Sequence, residues 1–110
     1  MSGVDLFLEI QAKTDTLDSA LGSFRKRGEA LAEANREYKM ELSKSLLLKR
    51  EEGVPVSILK NVCEGLPEIA ELRFKLDTAD TLYSSAKETI NALKLEIKVL
   101  NDAIEREWHS

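Results

Sequence analysis

The chain holds one histidine, His109, and one cysteine, Cys63, far apart in sequence. A zinc site draws on ligands at short, repeated spacings, and this pair supplies none. Ser57-Ile58-Leu59-Lys60 has the Ser-x-x-Lys spacing in which a lysine assists a nucleophilic serine in some acyl enzymes. Four residues so spaced arise often by chance, the companion motifs are missing, and a capped helical turn accounts for the run. Carboxylate pairs such as Glu51-Glu52 and Asp77/Asp80 suit a solvated helix face. Paired acid–base chemistry needs a pocket to move their pKa values apart. Gly53 and Gly65 are isolated, so no glycine-rich loop cradles a phosphate. The chain therefore reads as a non-enzyme, with no catalytic residue, metal ligand or cofactor expected.

Two other groups of residues point to binding. Arg25-Lys26-Arg27, with Arg36 and Lys39, then Lys44, Lys49 and Arg50, make a basic stripe over 25–50 suited to a phosphate backbone. Glu29, Glu33, Glu37, Glu41, Glu51 and Glu52 are interleaved with it, at spacings that make ordinary surface ion pairs. Aromatic side chains for stacking on bases are also missing from it, because Phe24 and Tyr38 fall on an apolar seam. A solvated face is the favoured reading and a nucleic-acid site the alternative. Trp108 is read first as a plug for the end of a helix pair, against Phe7 and Ile10, and second as an exposed anchor for a partner. Cys63 is read as a small buried apolar residue.

The elements that carry these residues are long helices. With 33% charged and 5% aromatic residues, two prolines and five glycines in 110, the composition is that of helical hairpins and coiled coils. The formal net charge of −4 sets up no global field for DNA or an anionic membrane. One cysteine cannot form an internal disulfide, which fits a reducing compartment. No signal-peptide pattern opens the chain, and no apolar run approaches the roughly 18 residues of a membrane span. The expected setting is soluble and intracellular, without membrane association.

From Ile69 onward, Leu72, Leu76, Ala79, Tyr83, Ala86, Ile90, Leu93, Ile97, Leu100 and Ile104 alternate steps of three and four. Such a repeat is one continuous helical seam. An earlier and poorer seam runs through Phe7, Ile10, Thr14, Leu17, Leu21, Phe24, Gly28, Leu31, Asn35, Tyr38 and Leu42. Residues 1–4 are expected to fray, with Ser2 or Asp5 as cap. A bend between Gly22 and Gly28, or a break near Thr14-Asp15, is expected where helix propensity is low. Gly53-Val54-Pro55 stops the first helix, a short helix follows in Ser57–Glu64, and Pro67 opens the last one. The fold class is all-α: one domain over 1–110, an antiparallel helical hairpin with long helices at about 5–52 and 67–108 and a connector at 53–66.

Two helices bury one stripe each, and this chain has apolar residues to spare. Phe74, Leu82, Leu95 and Val99 lie off the last seam, and Leu6, Leu8, Leu46 and Leu48 off the first. Surplus of this kind marks contacts. The expectation is a homo-oligomer, a dimer or tetramer forming a helical bundle. Because turns carry function more often than seams do, Arg50, Val54, Pro55, Ile58 and Leu59 are the expected partner-binding residues.

The turn Arg50-Glu51-Glu52-Gly53-Val54-Pro55 resembles that of small uncharacterised helical proteins from phages and prophages of Gram-positive bacteria. Glu68-Ile69-Ala70-Glu71-Leu72-Arg73, Ala79, Tyr83-Ser84-Ser85-Ala86, Ile90-Asn91-Ala92-Leu93-Lys94 and Ile104-Glu105-Arg106-Glu107-Trp108 are similar to the second helix of that group. The likeness spans roughly residues 36–108. Genes of the group often lie near those of single-strand annealing recombinases and single-strand binding proteins. The resemblance implies a non-enzymatic accessory of phage DNA recombination or replication that binds a protein partner, and it assigns no site residues. A direct DNA-binding module and a structural virion or scaffold component are the alternatives.

Overall fold

The structure is a computed structural model that describes Ser2 to His109, so the expectations for Met1 and for the last residue of the 1–110 span lie outside it. Among the described residues there are three helices and no strand: α1 Gly3–Glu51, α2 Val56–Glu64 and α3 Pro67–His109. α1 and α3 pack against each other as a hairpin.

The start of α1 is tied down rather than frayed. The Asp5 N–H donates to Ser2 Oγ at 3.2 Å, Ser2 Oγ–H donates to Asp5 Oδ2 at 2.9 Å, and the Leu6 N–H donates to the Ser2 carbonyl at 3.0 Å. The serine thereby satisfies a donor that has no partner inside the helix. No break occurs at Thr14-Asp15 and none at Gly22: α1 is a single helix of 49 residues. The nearby Thr16 hydroxyl donates back to the Ala12 carbonyl at 3.0 Å, which keeps that side chain within the helix.

The chain forms two compact units, one from the stretch up to Lys26 with that from Tyr83 onward, the other Arg27–Leu82. In the first, Leu6, Ile90 and Leu93 are buried. Phe24 and Tyr83 stack across the helix pair, ring centroids 4.7 Å apart. In the second, Tyr38, Leu59, Cys63 and Ile69 are buried, with Cys63 and Ile69 fully enclosed. Enclosing a side chain the size of Ile69 contributes about 1.5–3 kcal/mol.

The α3 seam is inward-facing throughout, from Ile69 to Ile104. The α1 seam departs from its even spacing. Gly28, Leu31, Asn35, Tyr38 and Leu42 face inward, but towards the N-terminus Leu6, Lys13 and Ala20 do so while Phe7, Thr14 and Leu21 are exposed. A straight α-helix drifts about 20° per seven residues against a seven-residue repeat. The other seam residues of that stretch, Ile10, Leu17 and Phe24, stay half-buried, so only the positions of Phe7, Thr14 and Leu21 give way to the residue before them.

Candidate functional site

The reversal between α1 and α2 is a glycine-capped helix end. Gly53 has φ +90°, a left-handed conformation free of Cβ strain only in glycine. Its N–H donates to the Arg50 carbonyl at 3.1 Å, and the Val54 N–H reaches back to the Lys49 carbonyl at 3.1 Å. Together they satisfy two of the carbonyls that α1 leaves open. The Ile58 N–H then donates to the Pro55 carbonyl at 3.1 Å, which starts α2 without any side-chain cap. Gly65 closes α2 in an ordinary right-handed conformation (φ −83°). Pro67 opens α3, and the Ala70 N–H bonds the Leu66 carbonyl at 2.8 Å.

The five turn residues singled out from the sequence fall into different environments. Arg50 and Pro55 are exposed, and Val54 is half-buried. Ile58 is 48% exposed, whereas its neighbour Leu59 is 9% exposed and belongs to the core of its unit with Cys63. Leu59 therefore supports the turn from within. Beside Ile58 the surface offers Val56, 77% exposed, and Val62 on the same short helix; the last turns of α1 expose Leu47 and Leu48. Val56 and Leu47 were not among the expected site residues. A signal for the second existed: consecutive helix residues point about 100° apart. Leu46-Leu47-Leu48 therefore cannot all face one partner, and Leu46 alone is half-buried.

The basic residues differ in their surroundings. Arg25, Lys26 and Arg27 fan around α1 at about 100° steps instead of lining one side. Arg36 is engaged by Glu33, its Nε donating to Oε2 at 3.1 Å. That hydrogen bond raises the arginine's already high pKa and lowers that of the Glu33 carboxyl. Lys44 pairs with Glu41 at 3.2 Å and Lys49 with Glu52 at 3.0 Å. Among the described residues, Arg25, Lys26, Arg27 and Lys39 are exposed and have no carboxylate within ion-pair distance.

Polar contacts between α1 and α3 include Lys13 with Glu96 and Arg73 with Tyr38. Lys13 Nζ lies 2.9 Å from a Glu96 oxygen, and this hydrogen bond, reinforced by the same charge and by Glu9, raises the lysine pKa above its usual 10.5. Arg73 covers the ring of the buried Tyr38, 5.5 Å from its centroid, and bonds Asp77 at 3.1 Å. Tyr38 first and Asp77 second push its pKa upward.

Trp108 does not plug the end of the pair. It is 78% exposed, and with Val4, Phe7 and Ile104 it lines an open apolar groove of about 510 Å³. The three–four alternation that reaches Ile104 lands next on Glu107, which leaves the indole off the inward line. Among the described residues no group of three or more His, Cys, Asp or Glu is placed to hold a metal ion, and no helix is long and apolar enough to cross a membrane. No protein-family model matches the chain, and no curated protein or solved structure is similar to it at a significant level.

Proposed function

We propose that this chain is a non-enzymatic interaction protein that presents the closed end of a helical hairpin to a protein partner. The observation that carries this reading is the exposure of Leu47, Leu48, Val56 and Ile58, which flank an internally bonded reversal in the chain. Aliphatic side chains left in water on an ordered scaffold favour association with a complementary apolar surface. The resemblance of the turn and of α3 to phage and prophage proteins supports a role as an accessory of DNA recombination or replication in the bacterial cytoplasm. The surplus of exposed apolar residues supports self-association into a dimer or tetramer.

The test is a pair of variants in pull-downs from prophage-induced cells, followed by titration against the purified captured protein. Val56→Ser with Ile58→Ser is expected to leave the helical melt intact and to weaken capture at least tenfold. Leu59→Ser is expected to lower the melt instead, because it leaves a hydroxyl in the core. Undiminished capture by the double variant would remove the turn from the site.

A second reading rests on Arg25, Lys26, Arg27 and Lys39, which are exposed and, among the described residues, have no carboxylate within ion-pair distance. Such cations are the ones available to phosphates. Fluorescence anisotropy with single- and double-stranded DNA separates the readings: an affinity that falls steeply with salt and with Arg25→Ala/Lys26→Ala would favour a DNA-binding module.

A further inference from the structure

Fifteen large apolar residues are exposed among those described, about twice the seven that are fully in the core. One patch among these exposed residues has the features of a contact between two copies.

That patch lies within Arg27–Leu82. An open groove of about 370 Å³ runs between α1 and α3, with the small residues Ala30, Thr78 and Ala79 along it and Leu82 at one end. Phe74 stands on its wall, 66% exposed, on the side of α3 away from the seam. Its rim carries both signs of charge, Glu71 against Arg27 and Lys75. A two-fold contact brings one patch against its own copy, so the patch must hold both halves of each interaction. This one does: a bulky aromatic knob beside a small-residue groove, and an anion beside cations. A patch of uniform charge, or one with knobs alone, would repel or fail to fit its copy.

We propose that a second copy of this chain docks here, Phe74 of each copy seated in the groove of the other beside Ala30 and Ala79, with Glu71 of one facing Arg27 or Lys75 of its partner. The proposal rests on the self-association in the reading above and assigns the surface. It leaves the closed end free for another partner.

The experiment is sedimentation velocity with multi-angle light scattering on the full chain over a wide concentration range. The wild type is expected to associate. Phe74→Ser is expected to raise the dissociation constant at least about thirtyfold, the scale of an interface hot spot, and to leave the far-UV melt of the dilute chain unchanged because Phe74 is exposed. Ala30→Trp, which fills the groove from the exposed side of α1, is expected to do the same without touching Phe74. A wild type that stays monomeric throughout overturns self-association itself. Association that survives both variants overturns only this surface.

Discussion

Gly53 after α1 and Gly65 after α2 do unlike work, and the difference is visible only in backbone angles. Gly53 sits at φ +90°, where a Cβ meets the following carbonyl. Gly65 sits at φ −83°, and a methyl there would lie 3.5 Å from the Asn61 carbonyl oxygen, an ordinary contact. Gly53→Ala is expected to cost about 1–2 kcal/mol. Gly65→Ala is expected to be neutral or to stabilise by about 0.4–1 kcal/mol, through a less flexible unfolded chain. Urea melts of the two variants check the pair. The stop signal Gly53-Val54-Pro55 was legible because a glycine followed by a proline ends a helix by local geometry. The split between Ile58 and Leu59 was not, because adjacent residues on so short a helix share composition and differ only in the direction each one faces.

At the scale of the helix, α3 follows its sequence pattern residue for residue and α1 does not. Every α3 seam position is apolar, Ala79 and Ala86 being small and the rest large, which marks one face as inward. On α1 the seam contains Thr14, Gly28 and Asn35, and Leu6 with Phe7 offers two adjacent choices. Weak preference leaves the outcome to the geometry of the partner helix, which exposes Phe7 and brings Lys13 to Glu96. That ion pair has a pH signature. The folded-state pKa of Lys13 is raised above 10.5, so its contribution is fully present below that value and is lost as pH rises through the folded pKa. Thermal melts of the wild type and Lys13→Met are expected to differ near neutral pH at low salt, to converge in strongly alkaline buffer, and to converge as salt screens the exposed pair. A difference that persists at high pH would assign the effect to the lysine's methylene stem.

For the molecule as a whole, an all-α hairpin with a short helix in its connector was legible, since it needs only helix periods and two breakers. The exposed ends were not. That Trp108, Phe7 and Val56 stay exposed is decided by distances between elements, which a periodic pattern does not carry. The glycine-capped reversal also bears on the order of assembly. Contacts in the Arg27–Leu82 unit join residues such as Tyr38 and Arg73, whereas those of the other unit join Lys13 to Glu96 and Phe24 to Tyr83, across longer stretches of chain. Loop closure is entropically cheaper for the shorter separations, so the unit that holds the turn should form first and template the other. In stopped-flow chevrons, Tyr38→Ala and Ile69→Val should slow folding, while Phe24→Leu and Ile90→Val should chiefly speed unfolding. The unit holding the turn would then close first, and the apolar groove at Val4, Phe7 and Trp108, in the other unit, would be the last surface to take form.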